Sequence, residues 1–188
     1  MDNIIFIDTE TGGTNPEKHS LLSVGLVAWS KEKGIIASQE LFIKNEVYSF
    51  TKKAKQINKF CQEQHDAKAV SHRIAVETIR SFCMNSTSKT KEIQIAGHNT
   101  LFDVSFLKSL FEEQHYSFSS LFSHRIIDTY SILKYLVDAD ILQLDTISSS
   151  STFKHFKIQV KGRHSALGDA EATARLYEAL LEVVKKPL

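Results

Sequence analysis

The chain alternates short apolar runs with longer segments in which apolar residues recur every three or four positions. The apolar runs predict five strands, over residues 3–8, 21–30, 34–44, 92–97 and 125–127. A short polar segment, KEKG, joins the second run to the third, so an antiparallel hairpin is expected there. Helical segments follow the later strands. This order predicts an α/β fold with a central mixed five-stranded sheet flanked by helices.

The helical segments carry recognisable start signals. A helical pattern extends from about residue 50 to 84 and contains Ser71 as a candidate N-cap. Further helices are predicted over 101–113, 128–137 and 165–185. Asp128 is expected to act as the N-cap of the second of these rather than as a ligand. The segment 144–156 has only a weak pattern, because it contains ISSSST and serine is a poor helix former.

Two carboxylates end the first predicted strand. Side chains alternate between the two faces of a strand, so Phe6, Asp8 and Glu10 share one face. Ligands of layered α/β folds gather at the carboxyl ends of strands, which is where these two acids lie. An apolar strand that directs two charges to one place predicts a functional site at that end.

Two further acids lie on helix faces that are otherwise apolar. Asp103 is followed at helical spacing by Phe106 and Leu110, and Asp169 is followed in the same way by Leu176. Both acids are therefore expected to point inward, towards the sheet.

Each of these helical acids also has a structural explanation. Asp103 forms a capping-box pattern with Thr100, and Asp169 lies in a first helical turn, where the helix dipole favours an acid. Four acids on three elements are harder to explain in this way, because two like charges ~4 Å apart repel by about 4 kcal/mol at an effective dielectric of 20. Protonation of some acids, or cations between them, would remove this repulsion. All-oxygen ligands select hard cations such as Mg²⁺ or Mn²⁺, and no zinc site is implied.

Three motifs resemble those of the DEDDh-type 3′-to-5′ exonucleases, the DnaQ-like and ribonuclease T-like group. In chain order they are FIDTETGG, GHNTLFDVSFL and RHSALGDAEATA. His164 precedes Asp169 by five positions, as in the DEDDh branch, whereas the sister branch has tyrosine there. The resemblance covers nearly the whole chain and implies the ribonuclease H-like fold. One departure is LDTISSSSTFKHF, where relatives usually have a compact helix rich in leucine and alanine.

The resemblance implies a hydrolytic mechanism with metal ions. Asp8, Glu10, Asp103 and Asp169 would hold two divalent ions, Mg²⁺ or Mn²⁺, which supply an activated water and neutralise charge on the phosphodiester. His164 would accept the proton of that water as a general base. The expected reaction removes nucleoside 5′-monophosphates one at a time from the 3′ end of a single strand. DNA is the expected substrate, with RNA left open because these motifs do not address the 2′-hydroxyl.

The resemblance also suggests substrate contacts. Thr9 and Thr11 flank the second acid, where the backbone of relatives meets the last nucleotide. Phe102 is a candidate for stacking on a base, with packing in the core as its alternative. His98 and Asn99 are candidates for contacting phosphate or orienting the third acid, and the alternative is that they only shape a turn.

Composition and charge add limits on the class of protein. The 188 residues, 42% of them hydrophobic, fit a single exonuclease domain over residues 1–188. Nothing approaches the roughly 20 apolar residues of a membrane span, and the two cysteines lack paired spacing, so a soluble cytoplasmic protein is expected. The net charge of +1 becomes +5 when the four acids are set aside. The lysines of TKKAKQINK are interpreted as a solvated helix face.

Other assemblies and other functions stay open at this point. The chain ends shortly after its last predicted helix, so a free-standing enzyme is expected, with a homodimer or a polymerase association left open. A catalytically inactive binding module of the same fold would be marked by the loss of an acid or of His164. A haloacid dehalogenase-like phosphatase also ends its first strand in two acids, but Glu10 and Thr173 fit its motifs poorly.

Overall fold

The computed structural model of the protein describes residues 3–58, 60–88, 92–162 and 165–185. Its five strands are β1 (Ile4–Thr11), β2 (Leu21–Ser30), β3 (Gly34–Phe42), β4 (Ile93–Gly97) and β5 (Phe122–Asp128). They form one sheet in the order β3-β2-β1-β4-β5. β1 pairs antiparallel with β2 and parallel with β4, so the sheet is mixed. The predicted five-stranded α/β architecture and the hairpin of β2 and β3 are confirmed.

Seven α-helices lie in the described residues. They are α1 (Lys52–Asn58), α2 (Gln62–Asp66), α3 (His72–Ser86), α4 (Thr100–Glu113), α5 (Thr129–Asp138), α6 (Ser149–His155) and α7 (Ala166–Val183). The two predicted N-caps are confirmed, because the side chain of Ser71 accepts from the Ile74 N–H and that of Asp128 accepts from the Tyr130 N–H. In the described part of the chain, no helix has the length and apolarity needed to cross a membrane.

The helical pattern predicted over 50–84 is present as α1, α2 and α3, and α3 begins directly after the predicted N-cap, Ser71. The serine run forms the short helix α6 despite the low helix propensity of serine. Ser148 caps this helix by accepting from the Ser151 N–H, and the buried ring of Phe153 anchors it in the core. Capping and burial together outweigh the weak propensity.

The two faces of β1 pack against different helices. Ile5 and Ile7 belong to the large core cluster that also contains buried residues of α3 and α4. Phe6 lies on the opposite face, in a cluster with Ala170 and Ala174 of α7. Asp8 and Glu10 continue the Phe6 side by strand alternation, so they lie on the sheet face that α7 covers.

Gly25 permits the close approach of α7 to this face. It pairs with Asp8 in the sheet register. A Cβ atom built on Gly25 would lie 2.2 Å from the Ala166 carbonyl oxygen and 2.6 Å from the Leu167 nitrogen. Both are backbone atoms, which cannot move aside independently of the helix. Only glycine at this position lets the first turn of α7 rest directly on β2.

Substituting Gly25 with alanine tests this packing. We expect Gly25→Ala to lower stability by about 1–3 kcal/mol, as overpacking of a tight core does. In a chain of this size, that loss corresponds to a decrease in Tm of roughly 2–10 °C, measured by thermal unfolding. Ser38→Ala, an exposed position on β3, is the matched control and should leave Tm nearly unchanged. A Gly25→Ala protein as stable as the wild type would show that α7 does not depend on this contact.

Candidate active site

Three acids converge at the carboxyl end of β1. Asp8, Glu10 and Asp169 each offer a carboxylate oxygen, and these oxygens all lie within 4.8 Å of one another. All three side chains are half-buried. The two acids of β1 meet there because alternate residues of a strand share a face, and Asp169 joins them because α7 packs on that face.

Local contacts fix the start of α7 and therefore the position of Asp169. Ser165 is the N-cap, and its hydroxyl oxygen accepts from the Gly168 N–H at 3.1 Å. The Leu167 N–H donates to Oε1 of Glu40 on β3 at 3.3 Å. Asp169 lies in the first helical turn, where the helix dipole favours a negative charge. Asp169 therefore has the first-turn position that the helix dipole favours, and it also lies among the three converging acids.

Gly168 brings the preceding loop against the same helix. A Cβ atom on Gly168 would lie 2.2 Å from the carbonyl oxygen of Lys161 and 2.7 Å from that of Gly162. Residues 161–162 therefore pack tightly on the first turn of α7. The predicted general base, His164, lies outside the described residues, so its role stays a prediction.

Asp103 approaches β1 from α4 rather than from α7. Its carboxylate is buried, with 4% of the residue exposed, and Oδ1 accepts from the Thr9 hydroxyl at 2.7 Å. Burial raises the pKa of the Asp103 carboxyl to about 7, hydrogen bonds from Thr9 act in the opposite direction, and the charge of Asp128 raises it further. Buried acids with a shifted pKa beside a cleft are typical of functional sites. Asp103 is not part of the group of three acids, so its place in a shared metal centre stays a prediction.

The capping-box explanation of Asp103 is wrong. The N-cap of α4 is Asn99, and Thr100 is the first residue of the helix. The Thr100 hydroxyl donates to the Ile127 carbonyl oxygen at 2.9 Å, so it ties α4 to β5 instead of capping its own helix. Asp103 is thus buried for a reason other than helix capping.

The group of three acids suits a divalent cation. Since the oxygens lie no more than 4.8 Å apart, each pair of ionised carboxylates would repel by at least about 3.5 kcal/mol at an effective dielectric of 20. A divalent ion among the oxygens would replace this repulsion with attraction. Hard ions such as Mg²⁺ and Mn²⁺ prefer oxygen ligands of this kind. The residues present therefore fit the ions that the sequence predicts.

A cleft of about 310 Å³ adjoins the acids. Its lining comprises Thr9, Glu10, Thr11, Gly13, Thr14, Thr51, Lys53, Ala54 and Phe102. Three of the predicted substrate contacts, Thr9, Thr11 and Phe102, therefore lie beside the acid group. The Thr11 hydroxyl donates to the Gly13 carbonyl oxygen at 2.7 Å, which shapes the loop at the mouth of the cleft. Phe102 is half-buried and packs on the buried Phe106 ring with a centroid distance of 5.3 Å.

Sequence reasoning missed the contribution of α1 to this cleft. Lys53 is exposed, as expected for a solvated helix face, and it also lines the cleft that Phe102 lines. The Thr51 N–H donates to the Gly12 carbonyl oxygen at 2.7 Å, which joins the start of α1 to the loop after β1. A local pattern could not reveal this pairing, since the two segments are about forty residues apart in the sequence.

The remaining predicted contacts lie at the turn between β4 and α4. His98 Nδ1 is 3.0 Å from the Thr129 hydroxyl, and its ring contacts Tyr130. The Asn99 N–H donates to Asp128 Oδ1 at 2.7 Å, with Asn99 in the left-handed region at φ 64°. Neither residue lines the cleft described above. The geometry therefore favours turn formation for both residues, and their contact with substrate stays a prediction.

The family model RNase_T, described as Exonuclease, matches residues 5–177, which include all four candidate acids. The chain belongs to this exonuclease family. The predicted membership of the DnaQ-like 3′-to-5′ exonucleases is confirmed, and with it the prediction of an enzyme.

Curated relatives of this exonuclease include two bacterial proteins. Ribonuclease T of Buchnera aphidicola subsp. Baizongia pistaciae is 26% identical over 183 residues, covering 92% of this chain and 81% of the relative. The PolC-type DNA polymerase III of Clostridium perfringens is 21% identical and matches 100% of this chain over 12% of its own length. Sequences similar to this chain thus occur both in a protein named as a ribonuclease and within a much longer protein named as a polymerase.

Solved structures confirm the ribonuclease H-like fold of the family. Escherichia coli exonuclease I in complex with a dT13 oligonucleotide has a TM-score of 0.78 at 18% identity, covering 96% of this chain and 41% of that one. A zinc-bound E. coli exonuclease I complex with single-stranded DNA has a TM-score of 0.81 at 18% identity. The match covers 100% of this chain and 42% of that one. This chain therefore spans about two-fifths of those exonuclease I chains.

Proposed function

We propose that residues 1–188 act as a single exonuclease domain that shortens single-stranded nucleic acid from its 3′ end and releases nucleoside 5′-monophosphates. The observation that carries this proposal is the convergence of Asp8, Glu10 and Asp169 beside a cleft that Glu10 also lines. Single-stranded DNA is the proposed substrate, supported by the oligonucleotides bound to the exonuclease I neighbours. The name of the Buchnera relative, Ribonuclease T, favours RNA as the alternative.

The proposed metal ligands are Asp8, Glu10, Asp169 and Asp103. They would hold two divalent ions, Mg²⁺ or Mn²⁺, which when bound activate a water and neutralise charge on the phosphodiester. The Thr9 hydroxyl donates to Asp103 and so positions it. One face of β1 thus supplies the ligands Asp8 and Glu10, and the other face orients Asp103 through Thr9. Such supporting hydrogen bonds orient ligand oxygens before an ion arrives.

The hydrolytic step requires a base and a place for the terminal nucleoside. We assign the base to His164 on its sequence spacing to Asp169. It takes the proton of the attacking water, whose oxygen bonds to phosphorus while the bond from phosphorus to the 3′ oxygen breaks. The 3′ oxygen takes a proton from solvent and becomes the hydroxyl of the shortened strand. The cleft between Thr11 and Phe102 would hold the departing end, with Phe102 available for a base and Lys53 for a phosphate.

Removal of divalent ions should stop the reaction. We expect EDTA to abolish digestion of a single strand, and excess Mn²⁺ or Mg²⁺ to restore it, because the ions proposed to lie among the three acids supply the activated water and the charge neutralisation. The measurement is the loss of full-length 5′-labelled oligonucleotide with time, resolved by length. Digestion that continues at an unchanged rate in EDTA would contradict the role of the acids as metal ligands.

The products distinguish this function from its competitors. Matched single strands of DNA and RNA, together with a mismatched duplex end, should be digested side by side and the products identified by mass. We expect a ladder shortened from the 3′ end together with nucleoside 5′-monophosphates. Release of inorganic phosphate would indicate a phosphatase, and tight binding without any cleavage would indicate an inactive module.

A further inference from the structure

A small aromatic surface lines a second cavity, which shares Glu10 with the cleft. Phe42, Phe60 and His65, here called the aromatic shelf, line a cavity of about 130 Å³. Glu10 and Ser165 line the same cavity. The shelf therefore adjoins the candidate active site through an acid that belongs to both.

The sheet register sets the distance from Glu10 to the shelf. Glu10 is opposite Ser23 on β2, and Ser23 is opposite Phe42 on β3, so the three residues form one row across the sheet. Neighbouring strands lie about 4.8 Å apart, which separates Phe42 from Glu10 by roughly 10 Å along the row. A nucleic-acid strand that leaves the acid group along this row passes the shelf after its first nucleotides.

The shelf rings are only half-buried. Phe42 and Phe60 are intermediate in exposure and lie outside the three hydrophobic clusters of the described residues. Tyr48 and Phe50 support Phe60 from behind, with ring centroids 4.9 and 4.8 Å from it. Aromatic rings that pack against one another beside a polar site, rather than in the core, are suited to contact with a ligand.

Hydrogen bonds hold the shelf in a fixed geometry. His65 is buried, and its Nε2 donates to the Ile43 carbonyl oxygen at 2.9 Å, between the rings of Phe42 and Phe60. The Tyr48 hydroxyl donates to Asp66. Burial and this bond raise the pKa of Tyr48 to about 12, so Tyr48 remains a neutral donor. A surface preorganised in this way loses little conformational freedom when a ligand binds.

Positive charge lies next to the rings. Lys68 Nζ is 5.4 Å from the centroid of the Phe42 ring. Lys44 is close enough to Asp66 to affect the pKa of that carboxyl. Aromatic rings combined with lysines are the usual binding surface for a single strand, because the bases stack while the backbone phosphates are attracted.

We propose that the aromatic shelf stacks the bases upstream of the terminal dinucleotide, so that the strand extends from the cleft past Glu10 to Phe42 and Phe60. This inference rests on the proposed exonuclease function and adds a second binding region to the same site. The shelf acts on substrate binding and takes no part in bond cleavage. Substrates long enough to reach it are therefore held more tightly than a dinucleotide.

The test compares a long substrate with a short one. We expect Phe60→Ala to lower kcat/KM for dT13 by about 5- to 100-fold, since each stacked base contributes a factor of this order. Hydrolysis of the dinucleotide dTpdT should be unchanged, because it ends before the shelf. Phe60→Trp should retain the wild-type rate on dT13. Tyr135→Ala, an exposed ring on α5, is the matched control.

Binding measurements keep this proposal separate from the proposed function. Fluorescence anisotropy with labelled dT13 in Ca²⁺ should give a weaker affinity for Phe60→Ala, by a similar factor. An oligonucleotide whose upstream positions lack bases should bind the wild type as weakly as dT13 binds Phe60→Ala. Phe60→Ala should bind this abasic oligonucleotide with the same affinity as the wild type does.

Several outcomes would overturn the proposal that the shelf binds upstream bases. Equal affinity of wild type and Phe60→Ala for dT13 would do so, whether or not the wild type cleaves. Equal losses on dT13 and dTpdT would also overturn it, because they would indicate a general structural effect. Phe60→Leu, which retains apolar volume, is the second variant if Phe60→Ala fails to fold, and it should show the same selective loss. Absence of cleavage by the wild type, with normal shelf-dependent binding, would refute only the exonuclease function.

Discussion

Replacing Asp169 with asparagine is expected to lower kcat for single-strand digestion by about a thousandfold or more, since a lost metal ligand removes several kcal/mol of transition-state stabilisation. The amide has the shape of the carboxylate but no charge. The fold should persist, because Asp169 is only half-buried and Ser165 still caps α7. Digestion of a 5′-labelled strand measures the rate, and thermal unfolding measures the fold.

A second acid on the same helix provides the control for this substitution. Glu171 is paired with Arg175 at 3.4 Å and is not among the three converging acids. Glu171→Gln should therefore keep kcat within a few-fold of the wild type. If Asp169→Asn retained full activity in Mg²⁺ while remaining folded, the assignment of Asp169 as a metal ligand would have to be abandoned.

Replacing His164 with alanine is expected to lower kcat by about 10²- to 10⁴-fold, the usual contribution of a general base. An ordinary histidine has a pKa of ~6.5, so the wild-type rate should fall as the pH decreases through that value and the base becomes protonated. His164→Ala should lose this dependence. Affinity for Mn²⁺ should change little, because the imidazole is not a proposed ligand.

Two measurements check the role of His164: the dependence of kcat on pH, and titration with Mn²⁺. Both are repeated on His124→Ala as the control. His124 is an exposed histidine on β5, so its replacement should alter neither quantity. Equal losses of turnover and of Mn²⁺ affinity in His164→Ala would show that the residue supports the metal centre instead of accepting a proton.

Much of the fold and part of the site follow from short-range patterns. The alternation that places Asp8 and Glu10 on one face is a property of any strand. Both residues lie within β1 and pair with residues of β2 in a regular antiparallel register. The helical spacing from Asp169 to Leu176 is likewise a property of a single helix. The sheet completes the prediction by placing α7 on the face of β1 that carries the two acids.

The remaining features depend on contacts between distant segments. The bond from Thr9 to Asp103 joins residues 94 positions apart, and no local pattern encodes it. Lys53 enters the cleft because Thr51 pairs with Gly12, which a helical charge pattern does not reveal. The helix at the serine run depends on the burial of Phe153, which outweighs the low propensity of its neighbours.

The central claim is that Asp8, Glu10 and Asp169 converge to bind divalent ions. Anomalous diffraction from crystals soaked in Mn²⁺ tests it most directly, with the same soak of Asp169→Asn as the comparison. We predict a strong anomalous peak among the three wild-type carboxylates and a marked loss of that peak in the variant. Carboxylates that stay close together at saturating Mn²⁺ with no peak between them would contradict the account.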